Sequence, residues 1–556
     1  MKNIAAYVKK PHIRDRIMLI ALGLFLFMPF LGSVHLFDWD EANFAEAARE
    51  MIVTGDYFRV QIDFRPFWEK PPLFFWLQAL SMHVFGINEF GARFPNALCG
   101  IITLLVAYTI GTRLFSRRLG LFWALAFLGS LLPHIFFKSG VIDPVFNLLI
   151  FSGIYFISRT TASGMQDGFK DYAIAGLLIG FAVLAKGPVA FLVSVLCIGV
   201  YWASARFKPM ARISQLAVFA GCVAGVSFVF YGIETLVHGT WFVREFIKYH
   251  LRLLGTSEAG HAEPFYYHFF VLLFGCFPAS ILAIRSLFLK EEPNTSQADF
   301  KKWMTVLFWV VLILFSIVKT KTVLYSSLTY FPITFLAAWH IESMLNGKAV
   351  LRKRLIVALC VFGALIGLIF AALPFVIMNG DAIAAHINDE FTAANLAKPV
   401  AWSGYESIVG FALMAAIFIS VFIAGRIKRK TGFMVLLITG ALSIEAIMIV
   451  LVGRIENHMQ RTPIEFYTSL EGKDVYVKPM FKTFAHLFYT KKQPPENPHS
   501  YDRQWLLEGA IDKPAYFIAR IHTAQELAEK YSDLVTIKSE GGFVFYRRDP
   551  PSLLKK

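Results

Sequence analysis

Long uncharged runs alternate with short polar stretches along most of this chain. Most runs hold roughly 17–25 residues, about the length of helix that crosses a bilayer. Thirteen are readable, at 17–37, 93–114, 119–137, 141–158, 172–186, 188–204, 213–237, 265–289, 303–318, 323–344, 352–378, 403–425 and 431–453. Lys186-Gly187-Pro188 separates two of them, as a tight turn or as a kink in one longer element. The first run is long for a signal-peptide core and lacks a small-x-small exit, so no cleavable leader is expected.

Two weaker patterns occupy the stretch 38–92. Phe44, Ala47, Ala48, Met51 and Ile52 share one helical face, with Glu46, Arg49 and Glu50 opposite. Asp38 is placed to cap this helix, Glu41 follows three residues on, and Gly55 ends it. A second helix is predicted from Leu73 to Phe85. At about 1.5 Å per residue it is too short for a ~30 Å hydrocarbon core. Both are expected to lie in the membrane interface.

Beyond residue 453 the pattern changes. Strand-like runs at 475–477, 515–519 and 542–546 alternate with helical ones at 481–489 and 523–531. The fold class is therefore an all-α polytopic membrane protein of about thirteen transmembrane helices, with juxtamembrane helices in the first external loop and a small C-terminal α/β soluble domain. The domain division is 1–453 (first external loop 38–92) and 454–556.

Charge orients the chain. Arg14 and Arg16, Arg117 and Arg118, Arg206 and Lys208, Lys301 and Lys302, Arg352 and Lys353, and Arg426 and Lys428 fall in alternate loops. The positive-inside rule makes that side cytoplasmic, the N-terminus with it. An odd span count puts the tail on the external face of the plasma (inner) membrane. The net charge of +15 sits in these short loops, so no nucleic-acid partner is expected. The five cysteines lie in or beside apolar runs without zinc-like spacing and read as core residues.

The candidate chemistry lies on the external side. Asp38, Asp40 and Glu41 crowd the end of the first run, and Glu69-Lys70-Pro71-Pro72 follows among aromatics. Acids favour helix N-termini, which accounts for one or two of the three. The alternative makes Asp40 a base or acceptor for an attacking hydroxyl. Lys70 is either a snorkelling interfacial lysine or a compact partner for a phosphate. Asp143 and Lys186 are further external polar groups, each with a structural alternative. Lys321 lies in a very short external loop, against the positive-inside trend, which suggests an anion there. Glu69 and His261 are candidate ligands for a possible divalent metal ion. His250, His268 and neighbouring charges in 238–264 read as a solvated face.

These residues carry a resemblance. Asp40-Glu41-Ala42-Asn43-Phe44, Phe67-Trp68-Glu69-Lys70-Pro71-Pro72, Ala185-Lys186-Gly187-Pro188 and Phe315-Ser316 with Lys319, Lys321 and Tyr325 resemble motifs of the GT-C membrane glycosyltransferases. Within them, the pattern is similar to bacterial aminoarabinose transferases acting on lipid A and to dolichyl-phosphate-mannose protein mannosyltransferase-like enzymes. Asn43 and Phe44 depart from the Arg and Tyr usual in the aminoarabinose transferases.

The resemblance implies a polyprenyl-phosphate sugar as donor and a hydroxyl or phosphate of an envelope glycolipid, a protein or a wall polymer as acceptor. It implies inverting displacement with Asp40 and Glu41 as catalytic acids. Lys70, Asp143, Lys186, Lys321 and Tyr325 would bind substrate, with Glu69 at a metal. Membrane lipids are implied as surroundings. The rival reading is a transporter, flippase or non-catalytic binding subunit for lipid-linked sugars. A transporter would place its ionisable groups near the bilayer midplane, where Glu445 is a single candidate.

Overall fold

Helices dominate the computed structural model of the protein, which describes residues 11–162, 168–255, 263–288 and 296–551. All thirteen apolar runs fall on helix. The first helix among the described residues, Pro11–Phe27, starts and stops earlier than the run at 17–37. Proline suits a first helical turn, and Pro29 disfavours helix at the residue before it.

The run 119–137 is broken into Arg117–Leu128 and Leu131–Phe136. Gly129 stands at the break against a neighbouring helix, where a Cβ would come within 2.4 Å of the Leu437 carbonyl oxygen. Among the described residues six helices are long and apolar enough to cross a membrane. The pair Tyr267–Gly275 and Ala279–Leu287, bent by 112°, makes a seventh if it counts as one span. Length and composition alone thus do not reproduce a count of thirteen.

Hydrogen bonds tie several of the basic loops to neighbouring helices. Arg117 binds Asp15 at 2.5 Å, Arg118 binds Glu342 at 2.6 Å, and Gln297 donates to the Leu114 carbonyl at 2.9 Å. Arg429 donates to the Met344 carbonyl at 3.0 Å. Glu445, the intramembrane acid, is paired with Lys138 at 2.5 Å.

Another cluster is built around residues 31–41. Arg93 is buried and donates to the carbonyls of Leu31, Val34 and His35 at 2.7–3.0 Å and to both oxygens of Glu41. Helices Asp40–Thr54 and Leu73–Phe85 follow, joined through the short hairpin β1 (Gln61–Ile62) and β2 (Arg65–Pro66). Both helices match the sequence pattern, and Gly55 ends the first in the left-handed conformation at φ 72°.

The polar face of Asp40–Thr54 is not solvated as its pattern suggested. Residues Glu41 to Met51 are all buried. Arg49 donates to both oxygens of Glu46 at 2.7 Å and to the Lys492 carbonyl at 2.8 Å. Glu50 accepts the Asp63 and Phe64 amides at 2.6 and 2.8 Å. The physical reason is a cover: helix Ala485–Thr490 of the C-terminal segment packs on this helix.

The C-terminal segment holds a four-stranded mixed sheet, ordered β3-β4-β6-β5. Its strands are β3 (Tyr476–Pro479), β4 (Ala515–Arg520), β5 (Val535–Glu540) and β6 (Phe543–Arg548). Strands β3 and β4 run parallel, and the other pairs are antiparallel. Periodicity missed β5, whose residues are exposed throughout. One face of the sheet has its own core around Phe517, Leu506 and Tyr546, while Ile518, Phe543 and Phe545 join the main core.

Candidate active site

Asp40, Glu69, Lys70, Asp143, Lys186 and Tyr325 line a single cavity of about 570 Å³. They come from five separate stretches of chain, so their convergence is a product of the fold. Asp40 is the first residue of its helix. The expected Asp38 cap is not made; Trp39 stands at the N-cap without a side-chain bond. The Asp38 carboxylate faces Thr483 and the Phe484 backbone instead.

Lys70 sits between the hairpin and helix Leu73–Phe85, where Pro71 and Pro72 restrict the backbone. Its ammonium lies 5.4 Å from the centre of the Tyr249 ring. Asp143 opens helix Asp143–Ala162 and Lys186 closes helix Phe169–Lys186. Lys186 Nζ donates to Asp143 Oδ1 at 2.6 Å and lies 5.4 Å from the Tyr325 ring.

Gly187 then turns the chain at φ 93° into helix Val189–Ser204. A Cβ there would come within 2.5 Å of Phe246 Cζ. That close approach brings helix Trp241–Gly255 over the cavity, with Phe246 and Tyr249 in its wall.

The cavity is polar at one side and apolar along the rest. Phe146, Val189, Leu192, Val193, Ile247, Phe315 and Leu328 form the apolar part. Burial pushes the half-buried Asp40 carboxyl up from its ordinary value, against the pull of Lys70. Asp143 and Glu69 add to the rise, and Lys186 opposes it. Burial pushes the Lys70 ammonium down, opposed chiefly by Glu69. A carboxylate made more basic now faces an ammonium made more acidic, with room for a ligand between cavity walls.

Three expected residues are placed elsewhere or not at all. Glu41 does not line the cavity. It accepts from Arg93 at 3.0 and 2.7 Å and from the Gly140 and Phe37 amides at 2.5 and 2.9 Å. Burial acts to raise its carboxyl, but Arg93 and these bonds hold it below the usual carboxylate range. Both of its oxygens are engaged in these structural bonds, away from the cavity. Lys321 is buried and donates to the Glu263 carbonyl at 2.8 Å, while its neighbours Thr320 and Thr322 reach the cavity.

His261 lies outside the described residues. Among the described residues no group of three or more His, Cys, Asp or Glu side chains could hold a metal ion. Glu69 alone does not make a coordination shell.

Comparison with known proteins bears on this arrangement. A profile of the dolichyl-phosphate-mannose-protein mannosyltransferase family matches residues 69–234. An undecaprenyl phosphate-alpha-4-amino-4-deoxy-L-arabinose arabinosyl transferase of Edwardsiella ictaluri is 27% identical over 373 residues, 65% of this chain and 66% of that protein. A namesake from Pectobacterium carotovorum is 25% identical over 336 residues, 59% of each. The chain thus spans just under two thirds of the length of the first relative and less of the second.

The crystal structure of ArnT from Cupriavidus metallidurans bound to undecaprenyl phosphate superposes with a TM-score of 0.74 at 16% identity, covering 96% of this chain and 97% of that one. The chain resembles the GT-C membrane glycosyltransferases in sequence and in fold. The Archaeoglobus fulgidus oligosaccharyltransferase shares the fold more distantly, with a TM-score of 0.53 at 11% identity, covering 97% of this chain and 74% of that one.

Several polar and aromatic cavity residues escaped sequence reasoning. Tyr249 follows Phe242 and Phe246 at helical spacing, a signal hidden by the surrounding charges. Trp39 was legible only as a neighbour of acids. Asn43 lines the wall, and in the amide orientation that satisfies both ends it binds the Trp39 carbonyl and indole at 3.0 and 3.1 Å. Lys482 enters from the C-terminal segment, where no motif marks it.

Proposed function

We propose that the protein transfers a sugar from a polyprenyl phosphate to an envelope acceptor, at the external face of the plasma (inner) membrane. One observation carries the reading: a single cavity holds Asp40, Lys70, and the Asp143–Lys186 pair at one side and an apolar wall beside them. The apolar wall suits an isoprenoid chain, and the lysines suit its phosphate.

In the reaction, an acceptor oxygen attacks the anomeric carbon of the donor sugar. The bond from that carbon to the phosphate oxygen breaks, and its electron pair leaves on the phosphate. Lys70 and Lys186 stabilise the growing charge where they already stand. Asp40 orients the acceptor and takes its proton when the acceptor is a hydroxyl, a task favoured by its raised basicity. The anomeric centre inverts. Tyr325 and Asp143 hold Lys186 in place, and the nearby Glu69 charge favours the protonated form of Lys70.

The names of the relatives favour an undecaprenyl-phosphate aminoarabinose donor, and the sequence resemblance to the lipid A aminoarabinose transferases favours a lipid A acceptor. The basic loops favour a cytoplasmic N-terminus, and 454–556 then forms an external α/β domain against the first loop. The test is direct. Purified protein is incubated with undecaprenyl-phosphate aminoarabinose and lipid A, and products are read by mass spectrometry. Aminoarabinosyl lipid A, absent with Asp40→Asn, supports the proposal. No sugar transfer to lipid A or to any envelope acceptor recovered from a deletion strain would reject it.

A further inference from the structure

The C-terminal segment does more than cover the first loop. Lys482 is exposed into the cavity, and its ammonium lies 4.4 Å from the centre of the Trp39 ring. Its two neighbours grip the same place: Thr483 and the Phe484 backbone face Asp38, and the Phe484 ring packs on Trp39 at 5.2 Å between centroids. The loop carrying Lys482 is thereby docked on the residues that immediately precede Asp40. Among the described residues Lys482 forms no ion pair, and its one contact of note is the face of Trp39.

The other cavity lysines stand differently. Lys186 is held by Asp143 and Tyr325, and Lys70 lies against Tyr249 beside the apolar wall. Both are balanced by adjacent acids and placed for the donor. Lys482 lies on the Trp39 side, next to the group that handles the acceptor. A cation without a carboxylate, held over an indole and open to the cavity, favours an anion.

We infer that Lys482 anchors a phosphate-bearing acceptor head beside Asp40, so that the C-terminal segment supplies part of the substrate site. This rests on the transferase reading above. The ligand class is a phosphorylated amphiphile whose anionic head approaches from the side opposite the isoprenoid chain.

The test uses full-length protein in detergent with bisphosphorylated lipid A as the probe. Lipid A binding, acceptor KM and donor KM are measured for wild type, Lys482→Met and Lys482→Arg. Methionine keeps the packing on Trp39 and removes the charge. Lys482→Met is expected to weaken lipid A binding and raise acceptor KM about tenfold, the scale of one charge-assisted contact, with donor KM within about twofold. Lys482→Arg is expected to restore both values, and added salt to weaken wild-type binding more than that of Lys482→Met.

A rise in donor KM instead would assign Lys482 to the donor phosphate and overturn the inference. So would Lys482→Met behaving as wild type, or Lys482→Arg failing as fully as Lys482→Met. If Lys482→Met does not fold, wild-type affinity for lipid A is compared with that for its dephosphorylated form, and equal affinity overturns it. Binding of lipid A through Lys482 without any transfer would reject the transferase reading while leaving the anchor standing.

Discussion

Lys186 and Asp143 form a 2.6 Å ion pair between the end of one helix and the start of another, with side chains only 16% and 5% exposed. Removing one partner leaves the other charge buried and unpaired. Lys186→Met is expected to destabilise the protein by about 3–5 kcal/mol. The double variant Asp143→Asn with Lys186→Met leaves no bare charge, so most of that loss should return. Thermal unfolding midpoints in one detergent check this: a double variant as unstable as the single one would show that the pair is not the cause.

Asp40 should set the acid limb of activity. A base works only when ionised, and burial raises this carboxyl above its ordinary value. Activity is therefore lost on acidification at a higher pH than an ordinary carboxylate would give. Lys70 must be protonated, and burial lowers it, so the alkaline limb should begin below the ordinary lysine range. The kcat/KM profile is then a bell narrowed from both sides. Asp40→Asn should lower kcat by roughly 10²–10⁴-fold and abolish the acid limb. Persistence of that limb in the variant would reassign it.

Glu41 is bonded on both oxygens by Arg93 and by the Phe37 and Gly140 amides, so its substitution is expected to act on stability. Glu41→Ala strands the buried Arg93 guanidinium and should cost about 3–5 kcal/mol of stability. The sign with pH follows from its lowered carboxyl. Its contribution is full above the ordinary glutamate range and fades as pH falls through the lower folded value. Calorimetry over that window reads the difference between wild type and variant. A Glu41→Ala protein as stable as wild type but inactive would return Glu41 to catalysis.

Gly187→Ala tests the close approach over the cavity. The added Cβ meets Phe246 Cζ at 2.5 Å, and φ of 93° is unfavourable for alanine. The Phe246 ring must give way, and with it the cavity wall that Phe246 and Tyr249 share. A stability loss of about 1–3 kcal/mol is expected. Donor KM should rise more than acceptor KM, measured by varying each substrate alone.

Much of this architecture was legible in the pattern. Helix Leu73–Phe85 lies where its apolar run places it, and Gly55 and Gly187 stop their helices as glycines with positive φ do. Asp40, Lys70, Asp143 and Lys186 were identifiable because charge at the end of an apolar run is costly without a purpose. Glu41 was misread because its neighbours in sequence hide a partner as distant as Arg93. The pattern of Asp40–Thr54 predicts an amphipathic helix lying in the membrane interface. Its polar face matches a buried Glu46–Arg49 pair as well as it matches water, and periodicity does not separate the two. Lys482 had no local signal at all, since its position depends on docking between residues 38–39 and 483–484.

That docking has a temporal side. Synthesis proceeds from the first helix onward, so Asp40 and Lys70 emerge from the ribosome long before Lys482 and the Lys492 carbonyl that receives Arg49. Until then one wall of the chamber is missing and Arg49 lacks the carbonyl that receives it. A half-made chain therefore has Lys70 and Lys186 but no finished chamber, and the complete cavity arrives late, as a property of the whole polypeptide.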